Sequence, residues 1–124
     1  MPDADLRLES IVDCTAPSEY FDNVVDRAAL SYLTPKELKQ GLFHVRRILK
    51  PGGVFIFNPY GADQTRPFPE VMPPVTIWDE RDVRRLFPDT RWETLDFQSY
   101  KVHYDADPPE YVEHTLRVTV RKIS

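Results

Sequence analysis

The apolar positions of the chain follow two different periods. Between residues 34 and 50 they recur at helical spacing: Leu38, Leu42, Val45 and Leu49 stand at i, i+4, i+7 and i+11 and form one face of an α-helix. Phe43 and Ile48 are expected to widen that face. Thr34-Pro35-Lys36-Glu37 spells a capping box with proline at the first helical position. Arg46, Arg47 and Lys50 fill the last turns, where positive charge favours the helix dipole. Pro51-Gly52-Gly53 is expected to stop the helix. Elsewhere the pattern predicts strands. Residues 6–13, LRLESIVD, read as a first strand, followed by the loop CTAPSEY. FDNVVD at 21–26 and VFIFN at 54–58 are short apolar runs without alternation, which suits strands buried on both faces. Strand, helix and strand within 21–58 make a βαβ unit, so its two strands are expected to be parallel.

Residues 59–78 form a proline-rich loop, of a length that is usually functional in compact domains. A short helix follows at about 80–87, with Asp79 as N-cap and Val83, Leu86 and Phe87 facing inward. Residues 92–104 and 111–123 are two long strands joined by DADPPE as an antiparallel hairpin. In the second, Leu116, Val118 and Val120 alternate with Thr115, Arg117, Thr119 and Arg121, one buried and one wet face.

Composition narrows the classes. The 124 residues suffice for one domain, read as 1–20 (strand and loop, a candidate edge or swapped segment), 21–58 (βαβ core), 59–78 (loop) and 79–124 (helix and hairpin). A net charge of −4 gives no basis for nucleic acid or an anionic membrane as partner. The basic clusters Arg46-Arg47-Lys50 and Arg81-Arg84-Arg85 are either solvated helix faces or phosphate contacts. No apolar run approaches the length of a membrane span or forms a signal peptide. Cys14 is the one cysteine, so no internal disulfide forms and a reducing, cytoplasmic setting is expected.

Several residues carry candidate chemistry. Asp26 ends the 21–26 strand, where ligands bind in open α/β sheets; the alternative is a cap or an ion pair with Arg27. Asn58-Pro59-Tyr60 leads the next strand out into a loop. His103 and His114 lie on opposite strands of the hairpin as candidate cross-strand neighbours, but without further ligands no metal site is expected. Trp78 and Trp92 flank the short helix as packing residues. Cys14 has no feature of a nucleophile and reads as a small buried hydrophobe.

The stretch FDNVVDRAALSYLTPKELKQGLFHVRRILKPGGVFIFNPYG resembles the centre of class I S-adenosylmethionine-dependent methyltransferases. In that family a strand beginning "FD" is followed by an "LxYL" turn and by a helix running into "LKPGG" and the fifth strand. DRAAL is similar to a stretch of small-molecule methyltransferases. The resemblance implies an α/β fold: a truncated Rossmann-like sheet with a parallel βαβ core, then a short helix and a C-terminal antiparallel hairpin as the family's sixth and seventh strands. It makes residues 6–13 the third strand. Asp13 and Cys14 then take positions that border the cofactor's adenine, although a strand-end acid is also a common turn residue. It places Asp26 toward the transfer region as a catalytic, orienting residue. Arg27, Tyr32, Asn58 and Tyr60 fall on the substrate side.

The cofactor implied is S-adenosylmethionine, but the family's Gly-rich cradle is not in the sequence. The glycines are Gly41, Gly52, Gly53 and Gly61, and no G-x-G occurs among them. Only glycine permits the close backbone approach such a cradle needs, so this chain alone is expected to bind no cofactor. In the family's strand order, 3-2-1-4-5-7-6, loss of the first two strands opens a gap of about 14 Å and bares the edge of the fourth. Residues 6–13 could cover that edge as a hairpin arm. A second copy could cover it, giving a homodimer through the N-terminal strand or the sheet edge. A partner methyltransferase could also supply the missing strands. Three functions follow: a methyltransferase or its substrate-side half, where catalysis rests on proximity and orientation; a non-catalytic interaction module; or a displaced gene fragment.

Overall fold

A computed structural model describes residues 10–27, 29–65, 76–105 and 111–123. Its strands are β1 (Phe21–Val25), β2 (Leu49–Phe57), β3 (Tyr60–Gly61), β4 (Ile77–Trp78), β5 (Trp92–Tyr104) and β6 (Tyr111–Lys122). The helices are α1 (Pro35–Ile48) and α2 (Glu80–Arg85), with single 3-10 turns at Ile11–Asp13 and Ala29–Tyr32. The fold is thus a mixed α/β sheet with few helices. β1 and β2 pair in parallel through Val24 with Phe55 and Val25 with Ile56. β6 lies antiparallel to β2 on one side and to β5 on the other. The order β1-β2-β6-β5 is the 4-5-7-6 part of the expected parent order. β3 continues beside β6 at Thr115 and carries β4 as a parallel partner.

Both helices cover one face of the sheet. Leu38, Leu42 and Val45 of α1 and Val83 of α2 pack on Phe55, Phe57, Leu116, Val118 and Val120, all buried. Trp92 closes this core, and Trp78 is partly buried against it. On the alternate face Val54 and Ile56 are half-buried and Val25 is 58% exposed.

The capping box forms as expected: Thr34 Oγ1 accepts the Glu37 N–H at 3.2 Å, and Glu37 Oε1 accepts the Thr34 N–H at 3.0 Å. Hydrogen bonding from Thr34, its backbone N–H first and its side chain second, holds the Glu37 carboxyl below its ordinary range. Asp79 caps α2 through the Asp82 N–H.

The structure corrects several expectations. Residues 11–13 form a 3-10 turn, not a strand, because Ser10 Oγ accepts the Val12 N–H and Ile11 packs on Gly41 of α1; residues 6–9 lie outside the described ones. Residues 11–13 therefore lie against α1. β1 is not buried on both faces: Asp22, Asn23 and Val25 are exposed and Phe21 and Val24 half-buried.

The helix stops at Ile48, before Pro51-Gly52-Gly53. Its last carbonyls, on Arg47 and Ile48, accept the N–H groups of Glu19 and Tyr20, each at 2.8 Å. Glu19 adopts a left-handed φ of 51° to present them. Leu49 then pairs with Phe21, and pairing resumes at Asn23 with Val54, so residues 50–53 bulge out of β2. Gly52 turns this bulge with φ at 82°. A Cβ on Gly53 would stand 2.8 Å from the Lys50 carbonyl oxygen and 3.0 Å from that of Asp22. Phe43 points away from the core and is 63% exposed. Finally, His103 pairs with Val112 and His114 with Lys101, so the two histidines are not direct cross-strand partners. The loop expected at 59–78 contains β3 and β4; its residues 66–75, and 106–110 of the hairpin turn, lie outside the described ones.

Candidate functional site

The carboxyl ends of β1 and β2 lie side by side, because the two strands are parallel and end within a residue of one another in register. The chain leaves β1 at Asp26 and β2 at Asn58. Both side chains are buried, at 6% and 9% exposure, and each is committed by hydrogen bonds. Asp26 Oδ1 accepts the Leu30 N–H at 3.1 Å, which fastens the 3-10 turn that follows β1. Asn58 Nδ2 donates to the Asp26 carbonyl at 2.6 Å, and Asn58 Oδ1 accepts Arg117 Nε at 3.1 Å. One amide thus ties the ends of β1 and β2 to β6. Ser31 Oγ accepts the Tyr60 N–H at 3.2 Å, holding the exit of β2 against the same turn.

Above this network a cleft of about 540 Å³ opens on the sheet face that the helices leave uncovered. Arg27, Asn58, Tyr60, Glu113, Thr115 and Arg117 line it, with Val25 and Ile56 as its floor. Two guanidinium groups and one carboxylate face a half-apolar floor. Glu113 also accepts the Tyr104 hydroxyl at 3.0 Å. Such a cleft can hold and orient a small polar molecule, above all one with an anionic group. Among the described residues the lining contains neither cysteine nor histidine.

The structure brings Arg27, Asn58 and Tyr60 to this cleft and places Asp26 beneath it. Tyr32 ends the 3-10 turn, 48% exposed, and does not line the cleft. Asp13 and Cys14 sit elsewhere. Cys14, half-buried rather than buried, offers its carbonyl to Arg47 at 3.0 Å, in the last turn of α1. That turn leads into the start of β2, at the opposite end of the strand from the cleft. Asp13 is exposed there. Ser31, Glu113, Thr115 and Arg117 were not singled out as site residues from sequence. For Arg117 the alternation of β6 already gave the open face, but not the register that sets it against Asn58.

Several cations of the two basic clusters make local contacts, while Lys50, Arg84 and Arg85 keep half or more of their side chains exposed. Arg46 donates to the Ile123 carbonyl at 2.7 Å, and Arg47 to the Ala16 carbonyl at 2.7 Å and to Ser18 Oγ at 3.1 Å. Arg84 and Arg85 pair with Glu80 and Asp82 within α2. Lys122, buried, donates to the Leu49 carbonyl at 2.7 Å, and burial pushes its ammonium below the ordinary lysine range. No group of histidine, cysteine and carboxylates suited to a metal occurs among the described residues. No helix there is long and apolar enough to cross a membrane.

A family model described as a methyltransferase domain matches residues 2–57. Solved structures share the fold. An S-adenosylmethionine-dependent methyltransferase from Methanosarcina mazei superposes with a TM-score of 0.75 at 17% identity, over 94% of this chain and 66% of its own. The 1,6-didemethyltoxoflavin N1-methyltransferase of Burkholderia thailandensis, solved with bound 1,6-didemethyltoxoflavin and S-adenosylhomocysteine, gives 0.67 at 18% identity, over 92% and 48%. A methyltransferase from Haloferax volcanii, in complex with the Trm112 activator, gives 0.73 at 19%, over 94% and 60%. The chain therefore spans between 48% and 66% of the length of these structures. No curated protein matches it. By its sequence over residues 2–57 and by its fold over nearly its whole length, the chain is similar to the S-adenosylmethionine-dependent methyltransferases, of whose length it covers part.

Proposed function

We propose that this chain is the substrate-side portion of a small-molecule methyltransferase domain, which holds and orients a methyl acceptor but does not bind the methyl donor by itself. The observation that carries the reading is the cleft at the carboxyl ends of β1 and β2, with Asn58 locking Asp26 and Arg117 beneath and beside it. Arg27 and Arg117 would take an anionic group of the acceptor. Asp26 is a positioning residue: its carboxylate shapes the turn that carries Tyr32, and its carbonyl holds Asn58.

The residues present do not fit the donor. Three of the four glycines are engaged in local packing, Gly41 against Ile11, Gly53 in the bulge and Gly61 against His114, and Gly52 turns the bulge with a positive φ. None is left to form a backbone cradle. Asp13 and Cys14 would contact adenine only within a complete domain. Titration calorimetry of the 124-residue chain with S-adenosylmethionine and S-adenosylhomocysteine is expected to show no saturable heat at micromolar concentrations. A dissociation constant of about 10 µM or tighter, roughly 7 kcal/mol of binding, would overturn the reading.

A second reading, a non-catalytic interaction module, is favoured by one observation. Among the described residues, β1 presents an edge with Val25 58% exposed, and neither helix covers the sheet face beside it. Such an edge pairs readily with another strand. A second copy of this chain would cover it, and a partner methyltransferase would do the same; the cytoplasm, reducing and rich in such enzymes, is the setting proposed. Multi-angle light scattering is expected to give twice the monomer mass, and a Val25→Lys variant to return it to one. A monomer at every concentration would remove the homodimer.

A further inference from the structure

Behind the cleft, β3 and the turn after it are fastened to β6 around a buried imidazole. His114 is 7% exposed. Its Nδ1 accepts the Asp63 N–H at 3.0 Å, and its Nε2 lies 2.8 Å from Ser99 Oγ. Its own backbone N–H donates to Gln64 Oε1 at 2.7 Å. Next along, Thr65 Oγ1 accepts the Val112 N–H at 2.7 Å, and the Thr65 N–H donates back to the Val112 carbonyl at 2.9 Å. Gly61 lies against the ring so closely that a Cβ there would overlap it.

These contacts fix the tautomer. A nitrogen that accepts carries no proton, so the neutral ring holds its proton on Nε2 and donates it to Ser99. Ser99 and His114 are therefore not a nucleophile and its base, since Nε2 has no lone pair to take the serine proton.

We propose that His114 is a proton-operated latch: neutral, it fastens the turn of residues 61–65, and with it Tyr60 of the cleft, to β6; protonated, it lets that turn go. A proton on Nδ1 would set N–H against the Asp63 N–H, donor against donor. The ring cannot turn to escape, because Gly61 packs on it and Ser99 holds its other nitrogen. Three charged groups bear on the site. The Asp63 carboxylate, from the turn, favours the proton. Lys101, the cross-strand partner on β5, opposes it and pairs with Asp63. Glu113, beside His114 on β6, is engaged by the Tyr104 hydroxyl. Burial is the largest influence and lowers the imidazole below its ordinary range. The sign follows: with the folded value below the unfolded one, the latch is fully closed above about pH 6.5 and is lost as pH falls through the folded value.

The test is amide hydrogen exchange by NMR on the full chain between about pH 7.5 and 4.5, with intrinsic rates divided out. Protection of the Asp63 and Thr65 amides is expected to fall at least about tenfold, the equivalent of one pKa unit, while the Phe55 and Val118 amides keep theirs. The midpoint should coincide with the titration of the His114 ring followed by its own carbon shifts. A His114→Asn variant keeps an acceptor near Nδ1 that cannot be protonated, and its Asp63 amide should stay protected throughout. A step that persists in this variant, a midpoint that differs from the ring's, or a ring that titrates with no loss of protection would each overturn the proposal. The midpoint comparison uses the unmodified chain, so it stands even if the variant does not fold.

Discussion

Truncating Phe55 to alanine is expected to lower the unfolding free energy by about 3–5 kcal/mol. The ring is fully buried at the centre of β2, with Val24 of β1 and Val120 of β6 as its neighbours in register. It contacts Phe57 at 5.7 Å, Phe87 at 6.1 Å and Trp92 at 6.4 Å between centroids, so β2, β5 and the exit of α2 all lean on it. Strand pairing on both sides of β2 keeps the backbone from closing over the vacated space. A domain of this size has about 5–15 kcal/mol in total, so the variant should sit near the edge of folding at 25 °C. Urea unfolding followed by tryptophan fluorescence is the measurement, with the midpoint falling and the slope unchanged. A loss below about 1 kcal/mol would mean that the aromatic layer is not the core described.

Replacing Asn58 with alanine is the second large effect, about 3 kcal/mol. Its amide makes two bonds that nothing nearby replaces: the donation to the Asp26 carbonyl and the acceptance from the Arg117 guanidinium. A bond to a charged group contributes about 1.5–3 kcal/mol and a neutral one about 1, and the Asp26 carbonyl would be left buried without this donor. The loss should be coupled to Arg117. In a double-mutant cycle with Arg117→Met, the pair is expected to deviate from additivity by about 1 kcal/mol or more. Additive losses, within about 0.5 kcal/mol, would show that the two side chains do not act together.

Local chemistry made much of this fold readable. The capping box at Thr34 and Glu37 set the start of α1, Asp79 set the start of α2, and the alternation through Leu116, Val118 and Val120 gave β6 and its buried face. The errors share one cause: they were decided by contacts distant in sequence. Pro51-Gly52-Gly53 reads as a helix stop, yet the helix ends earlier because Glu19 and Tyr20, nearly thirty residues upstream, take its last carbonyls. Ile11 and its neighbours have a strand-like pattern, yet they turn because α1 offers Gly41 as a seat. The site was legible to the same extent. Asp26, Arg27, Asn58 and Tyr60 stand at strand ends that the βαβ pattern locates. Arg117 was invisible as a site residue, because its partner lies 59 positions away and only the β2–β6 register brings them together.

The last turn of α1 has a mechanical meaning. Arg47 grips the carbonyls of Cys14 and Ala16, and its neighbour Arg46 grips that of Ile123. Tension drawn between residues 14 and 123 would therefore be shared between these two adjacent guanidinium groups and the end of β6, where the Ile123 N–H donates to the Arg91 carbonyl and Lys122 pairs with Trp92. The load would enter the molecule at the rim where the parallel pair begins, the end of β2 away from the cleft.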